Sequence, residues 1–345
     1  MGLIYGVFAD VFEVGLMGAS CWRSFQEEPQ NGAIESAVTS SIYETRLHKA
    51  VRDEDFELVK KLVEEQNADV NELNGAGQTP LHEACRCGND QIASYLIDET
   101  EEVDSLRKDD NGRQAITYAA ASGLKEIVLK LLAFDGADVN GRVEDGAHEH
   151  CTPLWHASSE GHADVVKFLL RQRKIRVDAF NVHHRTCLFQ ATRNGFIDVV
   201  ELLLSANADV SLAGLPDLEN PLHIASLNGS ENQLVIAAML LGGGADPNAK
   251  TRLGYTALVV ASIKGFEEMA CVLLERGADP NLALPDGLTA LHLSCIKGYS
   301  GLAEKLVEHG ANLNAKDKDG YTPMFYAEQK GHIDCMAAVE KHSRF

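Results

Sequence analysis

Histidine recurs at one position of a repeated four-residue pattern, and imidazole is the side chain best suited to proton transfer or metal binding near neutral pH. The four residues are His48, His82, His223 and His292. Catalysis would also need a nucleophile beside an oriented base, and the sequence has no serine or cysteine in such a recognisable arrangement. The glycines at 242–244 are followed by Ala245-Asp246, without the Lys-Ser/Thr of a phosphate-binding loop. The sequence therefore predicts a protein that is not an enzyme and has no cofactor.

A second group of possible ligands lies in two separate segments. It consists of His148, His150, Cys151, His183 and His184. Zinc takes nitrogen and sulfur ligands in tetrahedral geometry, so these side chains could bind it if the two segments packed about 10 Å apart. The alternative is a long solvated loop with scattered histidines, and loops on rigid scaffolds commonly carry binding residues. We therefore predict no metal here and a secondary protein-binding loop that contains His148, His150, His183 and His184.

These residues belong to a pattern that occurs nine times between residues 45 and 337. Each copy resembles Thr-Pro-Leu-His followed by small residues, a glycine and a run of Leu or Val. The copies begin at Thr45, Thr79, Gln114, Thr152, Thr186, Asn220, Thr256, Thr289 and Thr322. Successive starts lie 34, 35, 38, 34, 34, 36, 33 and 33 residues apart, and the spacing of 38 adds about five residues before Cys151. A period near 33 is typical of stacked helical repeats, in which no single unit can bury its own apolar face.

On this motif the chain resembles the ankyrin-repeat family over residues 44–345. The resemblance implies an all-α curved solenoid of helix-turn-helix units with projecting β-hairpin loops, and a concave side lined by the hairpin tips and the shorter helices. It also implies that the motif histidines hydrogen-bond between neighbouring units and that the protein binds other proteins. We assign residues 1–41 to a leader with an apolar start and a flexible linker, and residues 42–345 to the repeat domain. The nine repeats are 42–74, 75–108, 109–141, 142–181, 182–214, 215–250, 251–283, 284–316 and 317–345.

The eighth repeat shows the physical basis of one unit. Pro285-Asp286-Gly287 predicts the tight turn of a hairpin. The hydroxyl of Thr289 can cap a helix that begins there, and Gly298 can end the helix in a left-handed conformation. The first and last copies are expected to act as caps, because the first carries charged residues from Arg52 to Asp55 and the last has a thinner apolar stripe.

Charge and cysteine usage limit the possible partners and compartment. The chain has 51 acidic and 31 basic residues and a net charge of −20, which repels nucleic acid and anionic lipid surfaces. Most of the eight cysteines occupy small-residue positions of the repeats, so we expect reduced core thiols in a cytoplasmic or nuclear protein. No basic residue precedes the apolar start of the leader, so it is a poor secretory signal, and Asp10 and Glu13 make it a poor membrane span. We predict a monomer that binds proteins.

The resemblance to the family also locates the concave binding surface, at the residue after the motif's fourth position and at the two residues before the glycine. In repeats six to nine these positions and nearby hairpin residues are apolar, aromatic or basic. The predicted protein-binding residues are Ile224, Leu227, Tyr255, Val260, Ile263, Lys264, Leu288, Leu293, Ile296, Lys297, Tyr321, Tyr326 and Lys330. Burial by neighbouring repeats is the alternative for the apolar members, whereas a binding surface requires Leu227, Ile263 and Ile296 to face solvent. Such a surface would suit a peptide or helix with apolar anchors and carboxylates.

Three functional hypotheses follow from the sequence. The first is an interaction scaffold or adaptor, and the alternative is a substrate-recognition subunit of a ubiquitin ligase. The third, compatible with either, is hydroxylation of Asn140, because residues 132–140 match the Leu-x5-Asp/Glu-apolar-Asn pattern of known targets in full.

Overall fold

The computed structural model describes residues 44–100, 102–142 and 150–342. The predicted leader and His148 lie outside these ranges. Within them, the regular secondary structure is α-helical, and the β pairing consists of isolated bridges at hairpin bases, such as Lys108 with Gln114. No described helix has the length and apolarity needed to cross a membrane.

In the described part of the chain, the helices form nine pairs in chain order. They are α1 Arg46–Arg52, α2 Phe56–Glu64, α3 Pro80–Cys87, α4 Asp90–Asp98, α5 Ala115–Ala121, α6 Lys125–Leu132, α7 Pro153–Glu160, α8 Ala163–Leu169, α9 Cys187–Asn194, α10 Ile197–Ser205, α11 Pro221–Ala225, α12 Glu231–Gly242, α13 Ala257–Lys264, α14 Glu267–Glu275, α15 Ala290–Lys297, α16 Ser300–Glu308, α17 Pro323–Lys330 and α18 Ile333–His342.

The first helix of each repeat begins and ends as the sequence predicts in most copies. The Thr289 hydroxyl accepts a hydrogen bond from the backbone N–H of His292, and Gly298 ends α15 with a φ of 79°. A side-chain oxygen accepts the equivalent bond at Thr45, Thr79, Thr152, Thr186, Asn220, Thr256 and Thr322. Each such cap satisfies an amide that has no partner within the helix and contributes about 1 kcal/mol.

The repeats stack in two rows. The first helix of each repeat packs against the first helix of the next, and the second helices form their own row. One apolar core of mainly Ala, Leu and Val side chains lies between the rows, and its fully buried members include Leu81, Leu154 and Leu291 from the third motif position. The predicted all-α solenoid is confirmed.

Repeat six departs from the pattern that the sequence suggests. Its first helix, α11, ends at Ala225, and Leu227 follows in a turn where its N–H donates to the carbonyl of Ile224. Ser226, Asn228 and the glycine after it are weak helix formers, which accounts for the early end. Leu227 therefore does not continue the helical row that contains Ile263 and Ile296.

Candidate functional site

The motif histidines connect neighbouring repeats. In each, Nδ1 lies 2.8–2.9 Å from the side-chain oxygen of the capping residue. Nε2 lies 2.8–3.2 Å from backbone carbonyls of the next hairpin, as in His48 with Gln78 and His292 with Tyr321. Burial lowers the pKa of all four imidazoles. Both ring nitrogens are thus occupied by structural hydrogen bonds, and the predicted structural role is confirmed.

A different residue makes the same connection in repeat four. Trp155 occupies the histidine position, and its Nε1 donates to the carbonyl of Arg185 at 3.1 Å. The fold therefore uses a ring N–H donor at this position and does not need a side chain that titrates.

A second apolar cluster lies apart from the main core, on the hairpin side of repeats seven to nine. We call it the groove cluster. Its buried members are Val259, Leu284, Leu288, Leu293, Ile296 and Tyr326, and its half-buried members are Tyr255, Ile263, Tyr321 and Phe325.

The groove cluster corrects one expectation from the sequence. Ile296 is only 7% exposed, so it does not face solvent as a binding surface requires. It is buried because hairpin residues Leu284 and Leu288 of its own repeat and Tyr326 of the next share the cluster with it. Four more of the predicted contact residues are also buried, namely Ile224, Leu288, Leu293 and Tyr326. Ile263, half-buried on the preceding repeat, retains an accessible surface.

Aromatic rings form the C-terminal part of the groove cluster. Tyr321 and Phe325 stack with ring centroids 4.2 Å apart, and Tyr326 meets both edge-on. The Tyr326 hydroxyl donates to the buried carboxylate of Asp317, which fixes the ring. Phe325 was not among the predicted residues. The sequence could have indicated this residue, because Phe325 stands at the fourth motif position, where four other repeats have histidine. Tyr321 and Tyr326 also lie close to it in the chain.

The three lysines beside the groove cluster differ in exposure. Lys297 and Lys330 are exposed, whereas Lys264 is half-buried and burial lowers its pKa. Lys297 and Lys330 are therefore the members best placed to attract an acidic ligand from solution.

The N-terminal end of the same face is polar and ion-paired. Glu83 is 1% exposed and accepts hydrogen bonds from Arg52 at 3.0 Å and from Arg86 at 2.6 Å. Burial acts to raise the pKa of Glu83, but the hydrogen bonds and charges of Arg86 and Arg52 outweigh it and lower the pKa. Arg52, expected on solvated surface, is half-buried and also pairs with Glu44. At these positions this end therefore presents paired charges.

The predicted histidine loop is only partly described. His148 lies outside the described residues, Cys151 is fully buried, and His183 and His184 are exposed. His184 stacks on Phe180 with centroids 4.6 Å apart. Within the described ranges, no group of three or more His, Cys, Asp or Glu side chains is placed to hold a metal ion. The proposed role of this loop in protein binding stays a prediction.

Asn140, the predicted hydroxylation site, joins two inter-repeat loops. Its Nδ2 donates to the carbonyl of Lys174 at 2.9 Å, and its Oδ1 accepts from the N–H of Arg176 at 2.8 Å. Asn71, Asn248 and Asn281 make the same pair of bonds to their next repeats. The side chain of Asn140 therefore has a structural role, and its hydroxylation stays a prediction.

One acidic residue was not identified from the sequence. Glu219 lies at the base of the repeat-six hairpin, where its backbone forms an isolated β-bridge with Gly214. Burial and the neighbouring carboxylate of Asp217 raise its pKa to about 7, although Arg185 and Arg193 oppose the shift. A half-buried carboxylate that resists ionisation destabilises the fold at neutral pH.

Replacing Glu219 by glutamine is therefore expected to stabilise the protein near pH 8. A raised pKa means that the unfolded chain ionises first, so wild-type stability falls between about pH 4.5 and 7 and the full deficit remains above pH 7. The gain should be on the order of 1–3 kcal/mol at pH 8 and should vanish near pH 4. Urea unfolding of Glu219→Gln and of the exposed control Glu201→Gln at both pH values would check it. Equal behaviour of the two variants would contradict the expectation.

Comparison with known proteins agrees with this geometry. A family model for ankyrin repeats (3 copies) matches residues 47–143, 141–214, 211–283 and 277–341. The chain belongs to the ankyrin-repeat family. Ankyrin repeats generally mediate protein–protein interaction and are generally non-catalytic, which follows from the extended surface that a repeat stack presents.

Individual relatives share only this part of their length. The human transient receptor potential cation channel subfamily A member 1 is 28% identical over 239 residues, which cover 67% of this chain and 20% of that protein. The Caenorhabditis elegans ankyrin repeat and KH domain-containing protein mask-1 is 34% identical over 217 residues, 53% of this chain and 8% of that protein. Mouse rabankyrin-5 is 27% identical over 232 residues, 63% of this chain and 19% of that protein. The chain thus spans about a fifth or less of these relatives.

Proposed function

We propose that this protein is a scaffold or adaptor whose repeats seven to nine bind a protein segment with apolar anchors and carboxylates. The observation that carries the proposal is the groove cluster, an apolar surface outside the main core on a chain with a net charge of −20. Interfaces of this kind combine an apolar centre with a polar rim.

The proposed contact residues are the half-buried members of the groove cluster. Tyr255, Ile263, Tyr321 and Phe325 present apolar area that a partner can cover. The buried members, including Ile296 and Tyr326, support this surface from beneath and need not touch the partner. A preformed surface lowers the entropy cost of binding, because few side chains must be ordered.

Charge gives the proposed surface a preference for acidic partners. Lys297 and Lys330 lie exposed in consecutive repeats beside the aromatic rings. Rim charges act mostly on the association rate and its salt dependence. A partner segment with carboxylates next to apolar anchors would therefore be drawn to this end of the protein.

Ile263→Glu tests the contact surface. We expect this change to weaken the main partner at least about tenfold, roughly 1.4 kcal/mol, because a carboxylate would replace an apolar anchor beside acidic groups of the partner. Affinity purification with mass spectrometry on wild type and variant identifies the partner, and titration calorimetry measures its affinity. The matched control is Leu129→Glu, since Leu129 is 44% exposed on α6, away from the groove cluster.

The lysines require a separate variant. Lys297→Glu with Lys330→Glu should slow association and reduce its salt dependence, while dissociation changes little. If binding survives Ile263→Glu and is lost when His183 and His184 are replaced, the interface lies on the hairpin loops instead.

The role as a substrate-recognition subunit of a ubiquitin ligase stays the alternative. Cullin or elongin subunits among the purified partners would support it. We place the protein in the cytoplasm or the nucleus on the strength of its eight cysteines, seven of which are free thiols within the described residues.

A further inference from the structure

One inter-repeat loop is strongly basic. Residues 171–176, which follow α8, contain Arg171, Arg173, Lys174 and Arg176. The loops at the same place in the other repeats contain at most one Lys or Arg, and most contain none. Cations near a helix C-terminus gain about 0.3–1 kcal/mol from the helix dipole, but that effect is limited to the last turn. The repeats thus provide an internal comparison in which this loop is exceptional.

Two adjoining cavities are lined by three of these cations and by two cations from other loops. One cavity of about 480 Å³ is lined by Lys108, Arg142 and Arg176 together with neutral polar residues. The other, of about 510 Å³, is lined by Arg173 and Lys174. Asp138 and Asn140 belong to the walls of both. Their size is that of small-molecule sites, which typically measure about 300–1,000 Å³.

Among the described residues that line the two cavities, the cations outnumber the carboxylates. Asp138 is the one carboxylate among the described residues that line them, and its Oδ1 accepts the N–H of Asn140. Within the described ranges, no carboxylate forms an ion pair with Arg142, Arg173 or Arg176.

The walls of the two cavities are held in place by the Asn140 side chain. Its two bonds to the backbone of Lys174 and Arg176 join the basic loop to the loop that contains Asp138. The backbone segments that carry the cations of the basic loop and Arg142 are therefore connected to each other.

We propose that these two cavities form one binding site for a compact anion with two or more phosphate groups. Guanidinium groups bind phosphate oxygens through paired hydrogen bonds, and several charges of one sign favour a multiply charged ligand. The cations come from repeats two and four and line both cavities, whereas an extended acidic peptide would need them in a row. This site is separate from the groove cluster and takes a different class of ligand.

The phosphates could belong to a soluble compound or to a lipid headgroup, and one experiment separates the two. The full chain is titrated with inorganic tripolyphosphate by calorimetry, and its binding to phosphatidylcholine vesicles is measured with and without phosphatidylinositol bisphosphate. Tripolyphosphate binding without vesicle binding assigns the site to a soluble ligand. Binding to the phosphoinositide vesicles that tripolyphosphate displaces assigns it to a lipid headgroup.

The test variant is Arg173→Gln with Arg176→Gln. It should weaken tripolyphosphate binding at least tenfold and leave the melting temperature unchanged, because both side chains are exposed. The matched control is Lys250→Gln with Arg252→Gln, which removes the same charge from an exposed hairpin of repeats six and seven. The control should bind within twofold of wild type.

Three results would overturn the proposal. They are no tripolyphosphate binding to the wild type at low salt, equal weakening in both double variants, and tighter binding of a polyglutamate peptide than of tripolyphosphate. The second would show non-specific attraction, and the third would show a site for an acidic protein segment.

Discussion

Ile296→Glu is expected to unfold repeats seven to nine locally instead of merely weakening a partner. Ile296 is 7% exposed and shares the groove cluster with Leu288, Leu293 and Tyr326. The change removes about one buried aliphatic side chain and puts a carboxylate into an apolar site. Together these effects should cost roughly 3–5 kcal/mol, which is a large fraction of the stability of a typical domain.

The contrast with Ile263→Glu makes the expectation testable. Ile263 occupies the equivalent position one repeat earlier but is half-buried, so a glutamate there can reach water and should cost about 1 kcal/mol. Hydrogen exchange read by mass spectrometry would report the loss of protection repeat by repeat. Protection of α15 and α17 should fall in Ile296→Glu and persist in Ile263→Glu. If both variants keep wild-type protection, Ile296 is not a core residue of these repeats.

The local features of the repeat follow from the sequence because their causes are local. Thr289 and Gly298 predict where α15 begins and ends, since a cap needs only a side-chain oxygen near an amide and a left-handed end needs only a residue without a Cβ. The hydrogen-bonding role of His292 also follows from the sequence. The resemblance to the ankyrin-repeat family implies that the motif histidine bonds to the neighbouring repeat.

Exposure of the groove residues could not be predicted in the same way. Whether Ile296 faces solvent depends on Leu284 and Leu288 of its hairpin and on Tyr326 of the next repeat. Leu227 was aligned with Ile263 and Ile296 by spacing alone, but the early end of α11 moves it into a turn. For Ile296 the deciding contacts come from outside its helix, whereas for Leu227 the weak helix formers beside it end the helix early.

The basic loop was accessible from the sequence but was not recognised there. Aligning the loops that end at Asp178, Asp246 and Asp279 would have separated the four cations of the first from the glycine-rich others. What the alignment could not provide is the placement of Lys108 and Arg142 around the same cavities, because that depends on how repeats two to four stack.

Deleting residues 318–345 is expected to cause aggregation. The deletion removes α17 and α18, which pack on α15 and α16. Buried side chains such as Leu302 and Leu306 would become exposed, and each buried leucine contributes about 1.5–3 kcal/mol. The groove cluster would also lose Tyr326 and its two neighbouring rings. A fresh apolar face of this size on a repeat stack favours self-association, because the missing repeat was its natural cover.

Deletion of residues 1–40 provides the comparison. The first repeat already carries polar and charged residues on α1, so it should cap the stack in the absence of residues 1–40. Size-exclusion chromatography with light scattering, together with binding of a hydrophobic dye, would measure both truncated proteins. We expect dye binding and high-mass species from the C-terminal deletion and a soluble folded protein from the N-terminal one. A soluble, cooperatively folded 1–317 fragment would show that α15 and α16 can end the stack unaided. Equal insolubility of the 41–345 fragment would instead show that the leader covers an apolar face of the first repeat, because only a buried contact would make its loss as damaging as that of α17 and α18.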